Sequence, residues 1–231
     1  MPGYILHMLH GKMFLEKYCS DFSDNEIKQF IIGTIMPDSN KTVKADNDNS
    51  HFYSGDTKNK ILKVPDINNF PYRFFIKNPF VLGYSAHLYL DKIFFEDYFP
   101  SCVVFLDKNG NKTELIKEAV NAKILKSNRI ISIGELYSED YLYGDYTMTN
   151  KYIAEKYYLQ DIVETFIDNP IAEIDLNNLC NVKSAIYRFI EESSDKTEMK
   201  VFDIENLENA IERYAFGFSQ WSEGVKSMII Q

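Results

Sequence analysis

The chain has 231 residues, with 34 acidic against 25 basic side chains and a formal net charge of -9. Hydrophobic residues make up 45% and charged residues 26%, which excludes a disordered chain, and ten Gly with seven Pro exclude a collagen-like or linker-dominated one. The acidic surplus opposes a broad nucleic-acid footprint, because phosphate neutralisation needs clustered Lys and Arg, and no duplex binding is expected.

Residues 4–19 have helical apolar spacing, with Leu6, Leu9, Met13 and Phe14 in one stripe. Ser23-Asp24-Asn25-Glu26 has the capping-box pattern, and a helix from there should run to Gly33. Residues 37–50 are polar and read as a loop. A short apolar segment, 71–76, leads into the strongest helix, expected over 78–98, with Pro79 in its first turn and Pro100 just past its end. Residues 102–106 have a strand pattern without an evident partner, and 107–111 form the clearest turn. Helical patterns follow around 113–125, 149–167, 176–191 and 204–228, with 192–196 a solvated connection. The expectation is an all-α, multi-helix single domain spanning residues 1–231.

Three cysteines, Cys19, Cys102 and Cys180, are far apart without CxxC spacing and read as reduced, buried thiols. No stretch is long and apolar enough to span a bilayer, and MPGYILHMLHGKMFLEKYC lacks the cationic start of a secretory signal. A cytoplasmic protein without membrane insertion is therefore expected.

The chain has four histidines: His7, His10, His51 and His87. His87 and Asp91, in GYSAHLYLD, stand four apart on the strongest helix, so an imidazole and a carboxylate project from one face and can grip one ion. The alternative is a buried histidine hydrogen-bonded to the acid on the next turn. His51 ends the polar loop that Asp38 opens, and each alone reads as turn chemistry or a solvated side chain. In order they give Asp, His, then HxxxD, four ligands suited to zinc. Pro2 is small, so removal of Met1 is expected, and it exposes an α-amine whose unperturbed pKa of roughly 8 permits metal ligation near neutrality. His7 follows five residues later. His10 reads as a buried helix residue, which is also the alternative for His7.

The motifs MPGYILH, GTIMPD, SHFY and GYSAHLYLD, in this order, resemble the zinc-dependent phospholipase C family, and most closely its small intracellular bacterial members. The likeness covers residues 2–100, and DYLYGDYTMTNKYIAEKY is loosely similar to a later segment. The resemblance implies the helical fold shared with the fungal nucleases of that superfamily. It implies one zinc held by Asp38, His51, His87 and Asp91, and a second held by His7, Asp91 and the amine and carbonyl of Pro2. The secreted enzymes place further His ligands and an acidic one after HxxxD for a third zinc, but no histidine follows His87 here. Glu96, Asp97 and Asp145 are the stray acids, carboxylates alone make a poorer zinc site, and Asp145 suits a helix N-cap. One or two zinc ions are expected, the third site being absent.

The function so implied is a zinc-dependent hydrolase of phosphoric esters, phosphodiesterase-like, acting on a small phosphoester through a two-metal-activated hydroxide, with Asp38 and Asp91 as its catalytic carboxylates. The segment FPYRFFIKNPF (70–80) reads as core or as a pocket lining, with Arg73 or Lys77 available to an anionic group. Two other readings stay open: a helical zinc-binding protein with a structural metal and no turnover, and a metal-free helical interaction domain.

Overall fold

In the computed structural model the described residues are 2–40, 49–53, 55–57, 59–159, 167–192 and 197–229. Helix α1 (Tyr4–Tyr18) fulfils its expected span and buries residues all round its first two turns, from Tyr4 to Gly11. A helix apolar on every side belongs at the centre of a structure. Helix α2 (Asp24–Ile35) opens on the expected capping box: Ser23 N–H donates to Glu26 Oε2 (2.8 Å), and Glu26 N–H donates to Ser23 Oγ (3.4 Å). It outruns Gly33 by two residues and tightens into a 3-10 turn, Met36–Asn40. Of the rest of the expected loop, 41–48 lie outside the described residues, and Asn49 and Ser50 are helical.

Helix α3 (Pro79–Ile93) starts where Asn78 Oδ1 accepts from Val81 N–H (3.2 Å), with Pro79 in the first turn. It crosses α2 at a contact between two glycines. A Cβ on Gly33 would strike the Phe80 carbonyl oxygen, and one on Gly83 would strike the Phe30 carbonyl oxygen. The backbones meet there because neither residue has a side chain.

Beyond Ile93 the helical path does not stop before Pro100 as expected. It continues through a π-helical turn, Phe94–Tyr98, into α4 (Phe99–Cys102). Proline lacks an N–H, and its ring clashes with the carbonyl four residues back. Phe99 N–H reaches five residues back to the Phe94 carbonyl, and this widened turn absorbs the mismatch.

The all-α expectation needs correction here. Strand β1 (Val103–Leu106) pairs antiparallel with β2 (Asn121–Ile124), which pairs antiparallel with β3 (Arg129–Ser132). The fold is mainly helical with a small three-stranded sheet. The helix expected over 113–125 is replaced by turns and β2, in which buried Ala122 and Ile124 alternate with Asn121 and Lys123. Four residues are too few for that period of two to stand out from the helical one. The turn at 107–111 forms as expected: Asp107 Oδ1 accepts from the N–H groups of Asn109 and Asn111, 2.8 Å each, and Gly110 has φ 82°.

After the short α5 (Ile133–Leu136), α6 (Leu142–Tyr157) begins earlier than 149 and ends at Tyr158 in the left-handed conformation, φ 54°. The expected extension towards 167 falls on 160–166, outside the described residues. Asp145 is not the cap of α6. Its buried carboxylate accepts from the N–H groups of Lys200 (3.0 Å), Val201 (2.6 Å) and Phe202 (2.8 Å), tying α6 to the segment that leads into the last helix. Helices α7 (Leu179–Glu191) and α8 (Ile204–Ile229) match their patterns closely. The connection at 192–196 is described only at Glu192.

A large apolar cluster draws on the central helices and the inner face of the sheet, and a smaller one forms where Phe14, Phe30, Leu82, Ala86 and Phe218 meet. Cys19 and Cys102 are buried, but Cys180 is exposed, because it lies off the α7 stripe marked by Val182 and Ile186. Among the described residues no helix is long and apolar enough to cross a membrane. The α2–α3 crossing makes a direct prediction. Gly83→Ala should cost about 1–3 kcal/mol by overpacking, lowering the melting temperature by roughly 3–10 °C. Gly134→Ala, where an added Cβ meets nothing within 4 Å, should leave it within a degree or two; thermal denaturation followed by circular dichroism checks both.

Candidate metal centre

Three helices and one loop bring the expected ligands together. His7 comes from α1, Asp38 from the 3-10 turn after α2, His87 and Asp91 from successive turns of α3, and His51 from the loop between. All five side chains have 0% exposure. His51 Nε2 lies 3.2 Å from His87 Nε2, 3.4 Å from Asp38 Oδ1 and 3.4 Å from Asp91 Oδ2. His87 Nε2 lies 3.7 Å from Asp91 Oδ2, while the other oxygen, Asp91 Oδ1, lies 3.4 Å from His7 Nε2. The His7 and His87 rings stack at 3.6 Å with 10° between their planes. Two candidate groups result, Asp38–His51–His87 and His7–His87–Asp91.

Hydrogen bonds settle where the imidazole protons sit. His87 Nδ1 is 2.8 Å from the Thr34 carbonyl oxygen, which can only accept, so Nδ1 carries the proton and Nε2 presents a lone pair. Ser50 Oγ donates its hydrogen to the Pro37 carbonyl (2.8 Å), so it must accept from His51 Nδ1 (3.1 Å). In its neutral form His51 therefore also turns a bare Nε2 inward. Two nitrogen lone pairs and carboxylate oxygens from Asp38 and Asp91 converge, an arrangement that repels itself unless a cation stands among them. Neither oxygen of Asp91 has a hydrogen-bond partner among the described residues. A tetrahedral zinc with bonds of roughly 2.0–2.1 Å separates its ligand atoms by about 3.3 Å, close to the spacings here. The donor set fits zinc in number, type and spacing.

Electrostatics agree with the tautomers. Burial pushes the His87 imidazole well below its usual pKa, His7 adds to this, and Asp38 and Asp91 oppose it, so the ring is neutral and able to ligate. Burial raises Asp91, with His87 and His51 pulling against it. The Tyr4 hydroxyl donates to the Asp38 main-chain carbonyl (2.9 Å), and Tyr84 donates to that of Ser50, so the backbone beside two ligands is fixed. Thr34, Ser50, Tyr4 and Tyr84 escaped the sequence reading. Only Ser50 carries a signal, standing directly before His51; the rest act through carbonyls, which no residue pattern announces.

Pro2 is buried immediately before Gly3, the N-cap of α1, while Met1 lies outside the described residues. The stray acids go elsewhere. Glu96 pairs with Lys92, and Asp97 accepts from Tyr214 (2.6 Å) and faces Arg213 (3.5 Å). Asp145 is taken by backbone N–H groups. The aromatic segment splits between its two readings, with Phe70, Ile76 and Phe80 buried and Phe74 and Phe75 on the surface. Arg73 stacks over Phe74 at 4.3 Å.

The molecule defined by this geometry is a mainly helical protein with a buried His–Asp cluster able to take metal. Comparison with models of known families, with curated proteins and with solved structures gave no match.

His10 packs between Tyr89 and Phe218, as expected of a buried helix residue. Burial holds it down to about 3 from 6.5, the Tyr214 carbonyl opposing and His7 assisting. Below pH 6.5 the unfolded chain binds a proton that the folded chain refuses until about 3, so stability falls as pH drops through that window. Between pH 7 and pH 4 this group should remove about 3 kcal/mol. Urea denaturation at both values should show a smaller acid loss, by about that amount, in His10→Leu.

Proposed function

We propose that this protein is a zinc-dependent hydrolase of phosphoric esters, of the phospholipase C and nuclease kind that its motifs resemble. One observation carries the reading: the two oxygens of Asp91 face different histidine groups. Oδ2 lies 3.4 Å from His51 Nε2, and Oδ1 lies 3.4 Å from His7 Nε2. A carboxylate so placed could give one oxygen to each of two ions. Asp38, His51, His87 and Asp91 would hold the first; His7 and Asp91 would hold the second, with the amine and carbonyl of Pro2 once Met1 is removed.

Ions held there supply Lewis acidity and a water that ionises near neutral pH. The chain's own part is orientation. Thr34 and Ser50 fix both imidazoles with Nε2 inward, which would spare those two rings a change of tautomer when metal binds. Asp38, held through its main chain by Tyr4, keeps a carboxylate where it can orient the attacking water. Glu96, Asp97 and Asp145 are committed elsewhere, which favours two ions over three. The substrate is a small phosphoester.

The complete burial of all five ligands favours a second reading, in which a structural metal ties the loop to α3 without turnover. Two measurements separate the readings. Saturating zinc at about a hundred times its Kd should stabilise the fold by about 2.7 kcal/mol for each ion bound, a single ion raising the melting temperature by roughly 5–10 °C. Elemental analysis should find two zinc ions per chain on protein whose mass shows a Pro2 terminus. His7→Ala should keep one ion and lose hydrolysis of bis(p-nitrophenyl) phosphate by at least a hundredfold. Full activity in that variant sinks the two-ion reading, and a single ion with no turnover in the parent protein establishes the structural one.

A further inference from the structure

A second cleft lies apart from the metal centre, and none of the candidate ligands lines it. Its volume is about 580 Å³, within the roughly 300–1,000 Å³ of ligand-binding clefts. Ile61, Leu62 and Val64 form one wall, and β1 forms another, where Val103, Val104 and Phe105 line the cleft in succession. Side chains alternate across a strand, so three successive residues meet one cleft where the strand turns its edge to it.

The hydrogen bonds of β1 show what that edge offers. Leu125 N–H donates to the Cys102 carbonyl (2.9 Å), and the register pairs Val104 with Lys123. Bonded pairs alternate in an antiparallel ladder, so Cys102, Val104 and Leu106 bond towards β2. Val103 and Phe105 turn their main-chain groups the other way. Two of those four groups are taken: Val103 N–H donates to the Phe99 carbonyl, and the Phe105 carbonyl accepts from Thr113 N–H (3.0 Å). The Val103 carbonyl and the Phe105 N–H have no main-chain partner among the described residues. Both residues are buried, where an unpaired main-chain group is rare and marks a place that a ligand or water fills.

The arm that supplies Thr113 leaves β1 at this point. Ile61 N–H donates to the Glu114 carbonyl (2.9 Å), and Ile116 N–H to that of Asn59 (2.9 Å). The edge is therefore covered beside Leu106, which bridges to Lys112, and bare beside Val103 and Val104. Charge then selects what fits. Lys60 pairs with Glu114 (3.3 Å), Lys92 pairs with Glu96, and Asp66 accepts from Asn69. Lys112 is the one charged lining side chain with no hydrogen-bond or ion-pair partner among the described residues, and it stands where the bare edge ends.

A carbonyl and an N–H two residues apart on one edge match the N–H and carbonyl of a single residue on a parallel strand. Such a strand runs towards Leu106, where the arm stops further pairing beside Lys112. We propose that the cleft takes the free C-terminal end of a partner polypeptide as an added strand on β1. The penultimate residue donates to the Val103 carbonyl and accepts from the Phe105 N–H. The terminal carboxylate pairs with Lys112, and apolar side chains of the partner lie against Leu62, Val64 and Phe95.

Selection from a display library of heptapeptides with free C-termini, on immobilised full-length protein, tests this. Enriched peptides are then synthesised as free acids and measured by fluorescence polarisation, where each should bind saturably. The C-terminal amide, and the peptide N-methylated at its penultimate residue, should each bind the parent protein about tenfold or more weakly. Lys112→Ala should bind acid and amide alike, at the level the parent shows for the amide. Lys117→Ala, an exposed lysine outside the cleft, should behave as the parent. The amide and N-methyl comparisons use the parent protein, so they decide the matter even if a variant fails to fold. No enrichment, an amide or N-methyl peptide as tight as the acid, or parent-like discrimination in Lys112→Ala overturns the proposal. Metal enters none of these readouts, so this inference and the proposed function fail separately.

Discussion

The crossing of α2 and α3 at Gly33 and Gly83 is the constraint on which the centre depends. With each glycine set against the carbonyl of the opposite helix, the backbones touch, and Thr34, next along α2, brings its carbonyl within 2.8 Å of His87 Nδ1. That bond fixes the tautomer, and the tautomer aims a lone pair inward. Any side chain at the crossing would push α2 away from α3, and the His87 ring would lose the partner that sets its chemistry. The same turn of chain then leads to Asp38, so one helix contact places an orienting acceptor and a ligand together.

A lone pair aimed at another lone pair is an unusual use of burial. Hydrophobic residues surround the cluster, and an apolar interior disfavours unpaired charge more strongly than it rewards a single ion pair. The fold nonetheless commits two carboxylates and three imidazoles to full burial, and it adds Ser50 and Thr34 to keep two of those rings pointing at each other. Such an arrangement gains nothing for the fold in the absence of a cation. A cation bound between the rings would therefore link the stability of the fold to the cluster.

The helices at the centre of the fold were legible in the sequence because their signals are local: the box at Ser23–Glu26, Pro79 after Asn78, and the long stripe of α8. The sheet was not. β2 and β3 are four residues each, and the partner of β1 lies beyond a turn and a run whose apolar spacing imitates a helix. Pro100 misled for a related reason, since a π-turn can absorb a proline that an α-helix cannot. The cluster was legible as a set because HxxxD fixes two ligands on one face, and an acid and a histidine flank one loop. Asn150, buried on α6 with its Oδ1 lacking a hydrogen-bond partner among the described residues, was not legible at all. Nothing in TMTNKY marks a side chain as buried and unpartnered; only the packing of α6 on α1 does so.

Charge connects the number of ions to what the centre can do. If its histidines ligate as neutral rings, the cluster brings to an ion the formal negative charges of Asp38 and Asp91. One divalent cation exactly balanced by them leaves a neutral, closed site, which suits full burial and calls for nothing further. A second divalent ion, reached through Asp91 Oδ1 and His7, leaves two positive charges without a counterpart on the chain. An apolar interior does not tolerate that excess, so anionic ligands must enter with the second ion. Under the proposed function, that demand would be met by the oxygens of a phosphoester and of a water.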